Sequence, residues 1–192
     1  GQLGTVRLLC GPAPTRQTPG LAFTEANPRL QDEHTVTVEV TGSDLVAVQI
    51  DLIGGKTLRA IGLKQDEIPE PRGFAVQLRV NMETVEANGT IKPSGGTLRR
   101  FVPPSGPGVR VDTFGYDGYT TNRGFDSLLA KVIVHGPDFA SAMARARRAL
   151  GEFVLAGVET NTAFLHAMIP AQRRLKRHTR SPSAAAHRPQ LM

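Results

Sequence analysis

The sequence predicts an α+β chain, with short strands along most of its length and two helices gathered at its C-terminal end. Three observations carry that reading. Residues 73–81 (GFAVQLRVN) alternate strictly, with Phe74, Val76, Leu78 and Val80 on one face and Ala75, Gln77, Arg79 and Asn81 on the other. Shorter apolar and β-branched runs lie between clusters of glycine and proline. Residues 137–156 instead repeat their apolar side chains at helical spacing.

The elements follow in order. Residues 6–9 are a short apolar strand, and 11–20, with three prolines and two glycines, form a loop. A second strand ends near Asn27, because Pro28 lacks a backbone donor and biases its predecessor toward an extended conformation. Residues 35–40 (TVTVEV) alternate like a strand. Ser43 is placed to cap a helix from Asp44, with Leu45, Val48, Leu52 and Ile53 on one face and Gly54–Gly55 ending it. Residues 63–72, with three acids and two prolines, form a linker.

Burying one face of 73–81 stabilises by roughly 1.5–3 kcal/mol per side chain before entropy, so Arg79 points away from the core that holds its strand. Three further strands are expected at 97–102, 109–113 and 127–134. Asp126 and Ser127 read as a strand-entry turn rather than a catalytic pair. The helix over 137–156 carries proline in its first turn and Gly157 beyond its end, with Phe139, Met143, Ala146, Leu150 and Phe153 as a core stripe. A last helix spans about 162–168, capped by Thr160 or Asn161.

Composition narrows the function classes. A chain of 192 residues, 40% hydrophobic and 21% charged, reads as soluble and globular with one good core or two small ones. No apolar run approaches the roughly 20 residues of a membrane span, and no signal-peptide pattern opens the chain. The single cysteine, Cys10, excludes an internal disulfide and fits a reducing compartment, so a cytoplasmic location is expected. The net charge of +6 comes from a tail, 171–192, that holds Arg173, Arg174, Lys176, Arg177, Arg180 and Arg188 and no acid. The body is left with 17 basic residues against 17 acidic ones, so no specific nucleic-acid partner is expected. The tail, rich in Ala, Ser and Pro, reads as disordered. The first residue is Gly1 instead of Met, as in a piece of a longer chain.

Residues 24–37 (TEANPRLQDEHTVT) carry the densest chemistry. Glu25, Asn27, Arg29, Gln31 and Glu33 alternate, so an extended chain would put all five on one face. A strand-end carboxylate and an amide, about 6.6 Å apart along a strand, suit a hard divalent cation with oxygen ligands. Arg29 can grip carboxylate, bicarbonate or phosphate in a bidentate way, and Glu33 supplies a base. The plainer alternative is a surface strand with solvated charges. His34, His135 and His166 lack metal-ligand spacing, and the chain has no P-loop, GxSxG, HExxH or zinc pattern.

The whole string EANPRLQDEHTVT resembles the end of the ATP-grasp domain of biotin carboxylases, which read E-x-N-x-R-[LI]-Q-V-E-H-x-V-T. GFAVQLRVN, PSGGTLRRF, PPSGPGVRVDTFGYDGY and FDSLLAKVIVHG resemble the biotin carboxylase C-terminal domain, from about 73 to 169. The resemblance implies the end of an ATP-grasp sheet at 1–62, a linker at 63–72, and a small mixed, mainly antiparallel sheet domain with two C-terminal helices at 73–170, followed by the tail at 171–192. It also implies a short helical turn at 35–40, against the strand-like alternation, and the helical turn is the expectation adopted.

In the resembled family ATP activates bicarbonate as carboxyphosphate, and the CO₂ it yields carboxylates N1 of a biotin carried on a protein lysine. Carried over, Glu25 and Asn27 hold Mg²⁺ (or Mn²⁺) near the ATP phosphates. Arg29 clamps bicarbonate with the backbone amides of Gln31 and Asp32, Glu33 takes its proton, and Arg79 stabilises the biotin enolate. The implied partners are a biotin carboxyl carrier protein or domain, a carboxyltransferase component, and a second copy in a homodimer.

The chain departs from the family at Arg7, where a metal-binding Glu follows Gly-Thr-[Val/Phe]; at Asp32, where Val is usual; at Val38, usually acidic; and in a longer 11–20 loop. A cation in place of a carboxylate swaps attraction for repulsion, each worth ~3 kcal/mol per unit charge at about 5 Å with an effective dielectric near 20. A complete biotin carboxylase is more than twice this long, so the chain alone is expected not to turn over ATP. Two alternatives remain. One is another ATP-grasp ligase of the carbamoyl-phosphate synthetase type, which shares E-x-N-P-R; the other is a non-catalytic dimerisation or carrier-docking module.

Overall fold

A computed structural model describes residues 4–10, 21–122 and 124–175. The expected loop at 11–20 and the part of the expected tail from 176 onward lie outside the described residues. The fold is α+β, with antiparallel strand pairs and four helices among the described residues. The chain divides into two compact units, one of Gly1–Gln77, Pro107–Arg110 and Ile133–Arg145, the other of Leu78–Gly106, Val111–Val132 and Ala146–Met192.

In the first unit, β1 (Thr5–Cys10) pairs antiparallel with β2 (Leu21–Asn27), setting Thr5 opposite Asn27 and Arg7 opposite Glu25. A bulge between Arg7 and Leu8 leaves Thr24 as the extra residue of β2, so Leu8 pairs with Phe23. Residues 34–41 are helical: α1 (His34–Thr41) ends on Gly42, whose φ of 73° is left-handed and whose N–H donates to the Val38 carbonyl. This is the helical turn expected there and not the strand that the alternation of TVTVEV suggests; Thr35, fully buried, donates its hydroxyl to the Gln77 side chain.

The next helix, α2 (Leu45–Ile53), is capped by Asp44 and not by Ser43; Asp44 Oδ1 accepts from the N–H groups of Val46 and Ala47 at 3.0 and 2.9 Å. Leu52 is buried, but Ile53 is 70% exposed and stands outside the face expected to include it. Gly73 (φ 68°) closes the following segment where a Cβ would meet His135 Nε2 at 2.9 Å, and that nitrogen bonds the Arg72 carbonyl at 2.8 Å.

One three-stranded sheet has the order β3 (Phe74–Asn81), β8 (Leu128–Gly136), β7 (Val109–Thr113). Its middle strand, LLAKVIVHG, buries Leu129, Ala130, Val132, Ile133 and Val134, as expected of an apolar run covered on both faces. Two small antiparallel pairs join β4 (Glu83–Val85) to β5 (Ile91–Pro93) and β6 (Arg100–Val102) to β9 (Val154–Ala156). The strand expected over 97–102 is thus shorter, with Thr97 making only an isolated bridge to Thr120.

The helix expected over 137–156 is instead α3 (Phe139–Glu152), entered through Asp138, which accepts from the Ser141 N–H and hydroxyl at 2.8 and 2.9 Å. It stops at Glu152 because Val154–Ala156 pairs with β6 and Gly157 (φ 102°) turns where a Cβ would meet the Arg99 nitrogen at 2.8 Å. Of the expected stripe, Met143, Ala146, Leu150 and Phe153 are buried and Phe139 is half-buried, with Ala142 and Ala149 added to the core. Phe153 packs edge-on against Phe101 at 5.4 Å. The last helix, α4 (Thr162–Leu175), runs on into the segment read as tail. Among the described residues no helix is long and apolar enough to cross a membrane.

Candidate functional site

Glu25 and Asn27 end β2 two residues apart, so they share one side of the strand. The chain then turns sharply, the Arg29 N–H donating to the Asn27 carbonyl at 2.7 Å. That turn breaks the alternation. Arg29, Gln31 and Glu33 leave β2 on a loop, and the expected single face of five side chains is not formed as a strand face.

The loop has its own order. His34, which the sequence left without a role, bonds the Gln31 carbonyl through Nδ1 at 2.7 Å and through its N–H at 3.2 Å. Both contacts tie the loop to the start of α1. Glu33 takes the N-cap position in a helical conformation without capping through its side chain, while its carbonyl accepts from the Val36 N–H at 3.2 Å. Gln31, Glu33 and His34 line an open cleft of about 400 Å³, walled on its apolar side by Leu30, Val36 and Leu45. Glu25, Asn27, Arg29 and Asp32 lie outside that lining, with Glu25, Arg29 and Asp32 exposed.

A magnesium ion needs oxygen ligands but keeps several waters, so one or two protein ligands suffice when phosphate oxygens complete its shell. Glu25 and Asn27 offer a carboxylate and a carboxamide on one side of β2. The pair fits the ion in that partial sense. Among the described residues no group of three or more His, Cys, Asp or Glu could hold a metal ion unaided. The residue paired with Glu25 across the hairpin is Arg7.

Arg79, half-buried on β3, is held by its backbone. Its carbonyl accepts from Asn161 Nδ2 at 3.1 Å, and Asn161 Oδ1 accepts from the Asn81 N–H at 2.9 Å. Glu83 accepts from Asn81 Nδ2 at 3.1 Å and from the Ser127 hydroxyl at 3.2 Å. Asp126 Oδ1 accepts from the Leu128 N–H at 2.8 Å, the expected strand-entry turn. Sequence reasoning missed Glu83 and offered Asn161 only as a helix cap; the two are 78 residues apart, and no local spacing marks them as partners.

Residues 77–180 match the family described as the biotin carboxylase C-terminal domain, and residues 4–61 match the carbamoyl-phosphate synthase L chain, ATP binding domain. The chain belongs to the biotin carboxylase C-terminal domain family. It is 44% identical over 142 residues to Biotin carboxylase 1 of Bacillus subtilis (strain 168), covering 74% of this chain and 30% of that protein. It is 43% identical over 166 residues to the biotin-dependent acyl-coenzyme A carboxylase alpha3 subunit of Mycobacterium leprae, covering 86% and 26%. The chain therefore spans less than a third of the length of these relatives.

Among solved structures, it is similar to a single-chain, multi-domain long-chain acyl-CoA carboxylase, with a TM-score of 0.79, 47% identity, and coverage of 92% of this chain and 19% of that one. The biotin carboxylase domain of Hydrogenobacter thermophilus 2-oxoglutarate carboxylase, solved with MgADP, ADP and bicarbonate, matches with a TM-score of 0.76 and 34% identity, covering 87% and 34%.

Proposed function

We propose that this chain is the bicarbonate- and biotin-handling part of an ATP-dependent biotin carboxylase. The observation that carries the reading is the order of the two family matches on one chain, 4–61 and then 77–180. The first match is shared with carbamoyl-phosphate synthases; the second separates the chain from them. The proposed domain division keeps the linker at 63–72.

Arg29 grips bicarbonate through its planar fork, helped by the Gln31 and Asp32 backbone N–H groups. Glu33 takes the bicarbonate proton, and the His34 contacts to the Gln31 carbonyl steady the loop on which it stands. Arg79 receives the negative charge that develops on biotin when N1 loses its proton. Glu25 and Asn27 hold Mg²⁺ (or Mn²⁺), which when bound neutralises charge on the ATP phosphates. Biotin arrives on a carrier protein or domain, a carboxyltransferase component consumes the carboxylated product, and the intact enzyme is a homodimer. The 192-residue chain alone is expected not to turn over ATP.

A second reading, a non-catalytic docking or dimerisation module, is favoured by the single observation that Arg7 stands opposite Glu25. The deciding experiment replaces the matching stretch of Bacillus subtilis Biotin carboxylase 1 with residues 4–169 of this chain and measures ATP hydrolysis. Hydrolysis that needs both bicarbonate and biotin is the expected result. A folded chimaera with no such hydrolysis would sink the carboxylase reading and leave the module.

A further inference from the structure

We propose that Asn161 is a positioning residue for Arg79, acting as a substitute strand partner for the open edge of β3. By sheet order β3 is an edge strand among the described residues, where β8 is its one sheet neighbour. Within a strand, residues two apart direct their peptide groups to the same edge, so the Arg79 carbonyl and the Asn81 N–H and carbonyl emerge together. Asn161 meets all three. Its Nδ2 donates to the Arg79 carbonyl at 3.1 Å, its Oδ1 accepts from the Asn81 N–H at 2.9 Å, and its own N–H donates to the Asn81 carbonyl at 3.1 Å.

The same residue begins α4, its carbonyl accepting from the Leu165 N–H at 3.0 Å. Every polar group of this 7%-exposed asparagine is therefore used. Glu83 sets the orientation of the carboxamides: its Oε1 receives Nδ2 of both Asn81 and Asn161, at 3.1 and 3.4 Å, and its Oε2 receives the Ser127 hydroxyl.

The consequence concerns direction. A side chain leaves the strand along a line set by the peptide planes on either side of its Cα, and Arg79 has its carbonyl-side plane held from the N-terminus of α4. A buried, fully satisfied carboxamide is costly to build and brings no apolar contact, so its use here points to a demand for geometry. The role in biotin carboxylation rests on the functional reading above; the mechanical claim does not.

The test has two arms. In the ¹⁵N-labelled 192-residue chain, Asn161→Ala should lower hydrogen-exchange protection of the Asn81 amide about tenfold and shift the Arg79 Nε–Hε signal, leaving the Arg100–Val102 amides unchanged. An Arg79 signal that stays put, whether or not the Asn81 amide is exposed, would overturn the proposal. If Asn161→Ala unfolds the chain, Asn161→Asp serves instead. It sets a carboxylate oxygen against the Arg79 carbonyl where Nδ2 had donated and should shift the Arg79 signal, and adding Glu83→Gln, which relieves the repulsion between the two carboxylates without returning a donor to that carbonyl, should leave the signal shifted. A signal at its original position in either variant would equally overturn the proposal.

In the chimaera, Asn161→Ala should lower biotin-dependent turnover by up to about 100-fold with the KM for bicarbonate unchanged. An equal loss at both substrates would mark a purely structural role. An unaltered chimaera that ignores biotin would fail the carboxylase reading while the spectroscopic arm still decides Asn161.

Discussion

The hairpin that carries Glu25 and the strand that carries Arg79 are both short β elements, yet they are held in opposite ways. Val6 and Phe23 on the hairpin are 61% and 64% exposed, and Leu52 is the one buried apolar residue before Leu78 among the described residues. Leu78 and Val80 flank Arg79 with 9% and 0% exposure, and the edge of their strand is closed by Asn161. The buried neighbours of Arg79 and its edge partner Asn161 thus lie in one unit with it, although β3 itself is divided between the two units at Gln77 and Leu78. Glu25 sits on a strand whose neighbouring described apolar residue, Phe23, is mostly exposed, and the order of the adjoining loop comes from hydrogen bonds around Gln31 and His34.

The largest effect expected from that contrast is in the core. Val132→Asp places a carboxylate where the side chain is 0% exposed and should remove several kcal/mol, abolishing a cooperative thermal transition. Phe23→Ser in the hairpin should move the transition by less than about 0.5 kcal/mol. Comparable losses at the two sites would erase the distinction. Glu33→Gln in the chimaera should lower kcat by about 100- to 10,000-fold with an unchanged melting curve, as removal of a positioned base requires.

Next in size is Arg7→Glu, which replaces the residue opposite Glu25 by a carboxylate and should tighten Mn²⁺ binding at least about tenfold by titration. Unchanged affinity would mean that Arg7 does not face the proposed metal pair. The smallest effect belongs to Ile53→Ser, at 70% exposure, which should stay within about 0.5 kcal/mol by denaturant midpoint. A larger loss would show that the outer face of α2 is covered in solution.

These differences also explain what the sequence could and could not disclose. The β3 alternation was legible only in its second half, where Leu78 and Val80 are buried while Val76 is half-buried and Phe74 is 48% exposed, and the apolar run of β8 was legible because burial acts on it residue by residue. The motif around Glu25–Glu33 was legible as a string, whereas its shape was not: the Arg29 turn onto the Asn27 carbonyl ends the alternation one residue after Pro28. The strand-like alternation of TVTVEV misled while the helical turn implied by the family string held, and there Thr35 bonds Gln77, 42 residues away. Val154–Ala156 left the predicted helix because β6 offered it a ladder. In the last two cases the partner is distant in sequence, and local patterns are all that spacing can reveal.

The bulge at Arg7 and Leu8 has a practical consequence for swapping parts between relatives. In an unbroken antiparallel pair, inserting one residue would turn every later side chain to the opposite surface. Here Thr24 already absorbs that odd residue, so the Leu21–Phe23 end of β2 is geared separately from the Glu25–Asn27 end. Hairpin tips of different length can therefore be grafted on beyond the bulge without turning the proposed ion ligands to the wrong side.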